Sequence, residues 1–237
     1  MLPIIEQPVY SVDLSIGKIQ FRPFNVKEKK LLLMAHSAND VNNIVDNIKT
    51  IIRNCLISPE VNVDRLPLVD LTLLFINIRA RGESEKLKLL FKCQNEVEGN
   101  VCGMMIDSEV NLLELKQTDG GNVSNKIMIT DNIGVLMHYP TFELLNQVVQ
   151  KPSVQTEFVI VAGCIESVFD QHGIHKADEA SPDEMQKFLE SVPEVAYNKM
   201  KAYVESAPTV KAELKETCVK CGYVHNLKLE GLSDFFV

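Results

Sequence analysis

The feature that most constrains this chain is the stretch Cys218-Val-Lys-Cys221-Gly222, a knuckle whose two thiols can reach one ion but cannot satisfy it. A structural zinc site takes four ligands in a tetrahedron, so two more must come from elsewhere in the chain. A redox Cys-x-x-Cys opens a helix after a strand. Here GYVHNLKLEG follows, which reads as a strand, and Gly222 permits the left-handed turn of a hairpin tip. The knuckle therefore predicts a hairpin that must meet a second, ligand-bearing hairpin.

Cys93 and Cys102-Gly103 supply that second pair, with eight residues between the cysteines instead of two. LKLLFKC at 87–93 is echoed by VKAELKETC at 210–218, each a strand that ends in cysteine and precedes a turn and another strand. The expectation is a closed, structural Zn²⁺ site of Cys93, Cys102, Cys218 and Cys221. His225 is the substitute ligand if Cys93 or Cys102 fails; on a strand it also reads as a solvent-facing residue. The alternative is two hairpins packed without metal. Cys55 and Cys164 lie on apolar helix faces and read as small core residues. MLPIIEQPVYSV has no basic leading segment and contains two prolines, unlike a signal peptide. Six cysteines in such a chain are expected to be reduced thiols or metal ligands.

Around this pair the chain alternates helical and strand signals, predicting an α+β fold with helical blocks around a small antiparallel sheet and a zinc-ribbon-like pair of β-hairpins. Residues 1–24 read as an N-terminal hairpin, with Tyr10, Val12, Leu14, Ile19 and Phe21 in phase about Gly17. Residues 25–83 read as a helical block. Asn25 and Glu28 form its first capping box, Val41, Ile44, Val45, Ile48, Ile51, Ile52 and Cys55 line its second helix, and a third starts at Asp64. Lys27-Glu28-Lys29-Lys30 reads as a wet helix face. Residues 84–140 form a central β region in which SEKLKLLFKC pairs with NVCGMMI. Residues 141–209 read as a second helical block, with helices after Thr141, over 154–169, from Ser181-Pro182-Asp183-Glu184 and from Pro193. Residues 210–237 are the cysteine hairpin and an apolar tail, and all five segments form one integrated domain.

Apolar residues make up 46% of the chain and charged residues 24%, as in an ordinary folded protein. The net charge of −8 argues against a surface that tracks phosphates. No apolar run is long enough to span a bilayer. The sequence holds no phosphate loop, nucleophile elbow or H-E-x-x-H, and Glu143, Glu157 and Glu166 read as solvated helix carboxylates. His172 and His175 read as loop residues. These observations predict a non-enzymatic protein. A zinc-ribbon nucleic-acid or transcription factor is the alternative; against it, Lys211, Lys215, Lys220 and Lys228 are interleaved with Glu213, Glu216 and Glu230, and Tyr223 is the one stacking aromatic of the ribbon. Leu232, Phe235 and Phe236 end the chain on a tail too short to fold alone. They are expected either to anchor a partner or to fold back onto the ribbon or the 66–81 helix.

The segments RPFNVKEKKLLLMA, LPLVDLTLLFINIRARG, FKCQNEVEGNVCG, KIMITDNIGVLMHYPTFE and CVKCGYVHNLKLEGLSDFF resemble, in this order, the baseplate hub proteins of T-even-type contractile-tailed bacteriophages. The resemblance implies a viral structural or chaperone protein for assembly of the baseplate central hub, acting by protein–protein contacts. It implies the central hub, spike and tape-measure proteins as partners, and the host cytoplasm during assembly and the virion tail as its location. That family commonly carries a tight Cys-x-x-Cys in the first hairpin. Here Glu96 stands three residues after Cys93, and the next cysteine is Cys102.

Overall fold

The structure, a computed structural model, describes residues 5–38, 41–150 and 155–235; the side chains at 35–45, 149–150 and 233 lie outside the described set, and with them the expected contacts of Val41, Ile44 and Val45. The alternation about Gly17 becomes β1 (Tyr10–Leu14) and β2 (Gly17–Phe21), paired antiparallel with Tyr10 opposite Phe21 and Val12 opposite Ile19. Helix α1 (Val26–Ala38) opens on the expected box: Asn25 Oδ1 accepts from Lys27 N–H, and the Glu28 carboxylate accepts from Asn25 N–H. Glu28 departs from the wet face expected of it. It is buried and lies 3.0 Å from Arg22, while Lys27, Lys29 and Lys30 stay exposed. Burial opposes its charge, but the Arg22 and Asn25 donors win and hold its pKa below the usual carboxylate value.

Helix α2 (Val41–Cys55) buries Ile48, Ile51, Ile52 and Cys55. The third helix starts later than Asp64. Asn62 caps a single 3₁₀ turn, Val63–Arg65, then the chain is extended through Leu66 and Pro67, and α3 (Leu68–Gly82) follows. Proline at 67 disfavours helical backbone at the residue before it, which separates the two. Helix α3 is buried on most of its circumference, through Leu71, Leu74, Phe75, Ile76 and Ile78. The molecule is organised around it.

In the central region β3 (Lys86–Lys92) is followed by two short strands, β4 (Glu96–Val97) and β5 (Asn100–Val101), before β6 (Met105–Asn111). The partner of β3 is β6, which begins inside the expected NVCGMMI segment, with Met105 opposite Lys92 and Ile106 opposite Phe91, and continues past it to Asn111. Then come β7 (Lys126–Met128), β8 (Gly134–Met137) and α4 (Phe142–Gln150), the last capped by Thr141, whose Oγ1 accepts from Leu144 N–H.

The helix expected over 154–169 is instead α5 (Thr156–Gly163) followed by β9 (Ile165–Asp170) and β10 (Gly173–Lys176), so the 141–209 block is not wholly helical. A side chain at Gly163 would run into Leu144 of α4, with a Cβ only 2.3 Å from that leucine, so helix and sheet meet there as glycine allows. Helix α6 (Pro182–Ser191) has the full capping box of Ser181 and Glu184, and α7 (Glu194–Glu205) follows Pro193. The chain closes with β11 (Lys211–Thr217), β12 (Val224–Glu230) and the short α8 (Gly231–Asp234).

The fold is mixed α+β, and its described strands all pair antiparallel. They form one sheet in the order β10-β9-β8-β7 and the separate pairs β1-β2, β3-β6, β4-β5 and β11-β12. Two apolar cores result. One gathers β1, β2, α2, α3, β3, β6 and the base of β11 around Phe75, Leu71 and Phe21. The other packs α4, α5 and α7 onto β7–β9 around Val135, Met137, Cys164 and Met200. The chain enters and leaves the second through a narrow neck: Gln117 bridges to Val210, and Thr118 N–H donates to Thr209 O at 2.8 Å.

Candidate metal centre

The two cysteine hairpins are built to one plan. Strands β3 and β6 pair over seven residues, Lys86 opposite Asn111 through Lys92 opposite Met105; β11 and β12 pair over seven, Lys211 opposite Glu230 through Thr217 opposite Val224. At the bases, Leu112 N–H donates to Glu85 O (2.7 Å) and Gly231 N–H to Val210 O (3.1 Å). At the tips, Cys93 N–H donates to Met104 O (2.8 Å) and Cys218 N–H to Tyr223 O (2.9 Å). Gly103 N–H returns to Cys93 O (3.0 Å) and Gly222 N–H to Cys218 O (2.8 Å). Both glycines sit at positive φ, 66° and 73°, where a Cβ is strained.

This correspondence explains the eight-residue spacing. Cys102 N–H donates to Asn95 O at 2.8 Å, closing the base of an excursion made of β4, β5 and the turn residues Glu98 and Gly99, both left-handed as a two-residue hairpin turn requires. Without residues 96–101 the tip would read Cys93-Gln-Asn-Cys102-Gly103. The first knuckle is a tight Cys-x-x-Cys interrupted by a small exposed hairpin, and Glu96 is the first residue of the interruption.

Packed tip to tip, the knuckles bring four sulfurs together. All lie within 4.8 Å of one another, with Cys93 Sγ 3.6 Å from Cys221 Sγ and Cys102 Sγ 3.8 Å from Cys218 Sγ. A zinc ion with four bonds of about 2.3 Å to sulfur gives a tetrahedron with edges of about 3.8 Å. The four cysteines therefore fit a single tetrahedral ion of the kind thiolates select, and they could hold one. Each hairpin contributes one sulfur to each of these two close pairs, so an ion here would bind the hairpins to each other.

Electrostatics set the terms. Cys93, Cys102 and Cys218 are buried and Cys221 is half-buried. Burial pushes the Cys93 thiol up to about 12, whereas the backbone N–H of Tyr223, ahead of the neighbouring thiols and Asn95, draws Cys221 down to about 6. A bound cation would deprotonate all four, leaving a doubly negative cluster. Asn95 Nδ2 lies 3.7 Å from Cys221 Sγ, and His225 Nε2 lies 3.2 Å from Cys93 Sγ. The hairpins are also tied away from the sulfurs, by Ser108 Oγ donating to Glu216 (2.6 Å) and Lys220 Nζ to Cys102 O (3.0 Å).

The remaining expectations resolve differently. His225 touches the cluster from outside and is not one of the four atoms that close it. Cys55 and Cys164 are buried core residues whose thiols burial pushes up to about 12. Phe235 is fully buried in the first core, with its carbonyl accepting from Arg79 of α3, so its ring is not free to anchor a partner. The apolar area it offers is satisfied within the chain. Leu232 is half-buried against the same core, and Phe236 lies outside the described residues. On the ribbon, Lys211 pairs with Glu230 and Lys228 with Glu213, at 3.0 and 3.7 Å. Asn95 was not singled out in the sequence; its signal was the shared Cys-Gly ending of both knuckles, which aligns it with Lys220.

Among the described residues no helix is long and apolar enough to cross a membrane. No curated protein and no solved structure matches the chain. The profile of the family described as T4 bacteriophage base plate protein matches residues 7–237. On that match the chain belongs to the T4 bacteriophage base plate protein family.

Proposed function

We propose that this structural protein of the phage tail baseplate serves the central hub, as a hub subunit or a hub assembly protein acting through protein–protein contacts. The observation that carries the reading is the family match over residues 7–237. Its partners are other tail proteins, and within this proposal they are the central hub, spike and tape-measure proteins met in the host cytoplasm during assembly. The fold is consistent with this role, since its buried carboxylates and lysines are engaged in structural pairs: Asp70 accepts from Ser15, and Lys49 sits 3.0 Å from Asp64 and beside Glu143. The nucleic-acid alternative is weakened by the ion pairs that balance Lys211 and Lys228.

A second part of the proposal concerns Zn²⁺. Held by Cys93, Cys102, Cys218 and Cys221, it would act as a closed structural cross-link between the two hairpins, making them a zinc ribbon split by the second core. The ion supplies only binding energy and geometry; the residues around it bury the sulfurs and donate hydrogen bonds to them.

The hub role is tested by affinity purification of the tagged full chain from infected cells, followed by protein identification in the eluate and in purified virions. Hub, spike or tape-measure proteins in the eluate support the reading, and presence or absence in virions separates subunit from assembly factor. An eluate that contains only tail proteins from outside the hub overturns it.

A further inference from the structure

We infer that His225 is a positioning residue for the four-cysteine centre, and that its N–H donation to Cys93 sets how fast a bound ion leaves by the Cys93–Cys221 edge. This rests on the zinc reading above and adds a direction to it.

The shared plan of the two hairpins makes His225 conspicuous. Four residues after the second cysteine, the first hairpin carries Ile106 and the second carries His225. Ile106 is buried among Cys93, Cys102 and Cys218 and closes its side of the cluster with hydrocarbon. His225 is only half-buried. Its ring is held edge-on between Phe91 (centroids 5.3 Å apart) and Tyr223 (4.8 Å), which aims Nε2 across the hairpin boundary at Cys93 Sγ, 3.2 Å away.

The two edges of the centre therefore differ in kind. Cys102 and Cys218 are both buried, and among the described residues no polar side chain other than cysteine hydrogen-bonds to their sulfurs. The Cys93–Cys221 edge includes the half-buried cysteine and is lined by polar groups, the His225 ring nitrogen and the Asn95 amide. Water or a competing chelator reaches Cys221 first, and opening that edge separates sulfurs from different hairpins. N–H donors aimed at a metal-bound thiolate stabilise its charge and fix its direction, so losing one loosens the ligand. Cys221 also has Asn95 and the Tyr223 N–H, whereas His225 is the side-chain nitrogen aimed at Cys93.

The test loads the full chain with zinc and measures transfer to a colorimetric chelator in excess, for wild type, His225→Ala and His225→Gln. The expected result is one zinc per chain in all three, release about 10-fold faster in His225→Ala, and a rate near wild type in His225→Gln, which keeps an N–H donor. Cobalt loading adds a spectroscopic reading: four thiolates in every variant. Equal rates for wild type and His225→Ala overturn the inference. So does equally fast release from Ala and Gln, which would make the ring a packing element only, and so does a cobalt spectrum of three sulfurs and one nitrogen in the wild type. A wild type that binds no zinc removes the zinc reading itself, and this one with it; zinc bound with unchanged rates removes this one alone.

Discussion

The first cysteine hairpin has eight residues between its cysteines and the second has two, yet their tips carry the same hydrogen bonds and the same left-handed glycine. What fixes a sulfur in place is the strand end before it and the Cys-Gly turn after it. The residues between the cysteines can bulge outward provided their ends are tied, as Asn95 and Cys102 are. Ligand spacing in sequence is therefore a poor measure of ligand geometry when the gap closes on itself.

The sharpest way to break the comparison is to remove one sulfur from each hairpin in turn. Cys218→Ser and Cys102→Ser are both expected to lose bound zinc by elemental analysis and to lower the thermal midpoint sharply, because the binding energy of a structural ion is folding energy. Cys164→Ser keeps the zinc. A wild-type loading retained by Cys102→Ser would show that the first knuckle is not a ligand pair.

The hairpins are also pinned at their bases to the same core, the first through Leu112 and the second through Phe235, each almost wholly buried. Phe235→Ala is expected to cost about 3–5 kcal/mol in urea unfolding, the usual range for emptying a buried phenylalanine site. A loss under about 1 kcal/mol would show a site that collapses freely and would return the tail to the surface.

Gly103→Ala and Gly222→Ala each place a Cβ at positive φ and are expected to cost about 1–2 kcal/mol apiece, in equal measure if the tips are equivalent. Deleting residues 96–101 to leave Cys93-Gln-Asn-Cys102-Gly is the smallest effect. Zinc content stays at one per chain and the thermal midpoint moves little, since closure entropy varies only slowly with loop length. Loss of zinc on deletion would show that the small hairpin shapes the site.

Much of this was legible in the sequence because the signals were local. Ser181-Pro-Asp-Glu184 carries its own capping box, and the turn at Gly17 fixes the first hairpin; both form as read. The cluster of four cysteines was legible because cysteine leaves few alternatives. The 154–169 segment was misread because Val161 and Ile165 fit a helical spacing, while Ile165 and Ser167 equally fit a strand, and what decides is pairing of Val168 with Val135 in β8, far away in sequence. Glu28 was misread for a related reason: its charge suggested water, and only the fold brings Arg22 to it. The partner of β3 was placed in part, at Met105 and Ile106; its continuation to Asn111 and the small hairpin of β4 and β5 were not read.

The neck at Gln117 and Val210 has a consequence for timing. Everything between β6 and β11 lies outside the paired hairpins, and Cys102 stands 116 residues before Cys218. During synthesis, which proceeds from the N-terminus, the first knuckle emerges with two of the four clustered cysteines and must wait for the entire second core to pass. That core encloses its own hydrophobic residues and can fold while the cysteines stand open. Joining the knuckles is then a late long-range event, followed in the chain only by the docking of Phe235, and it reports that the intervening lobe has been made and has returned its two ends to one place.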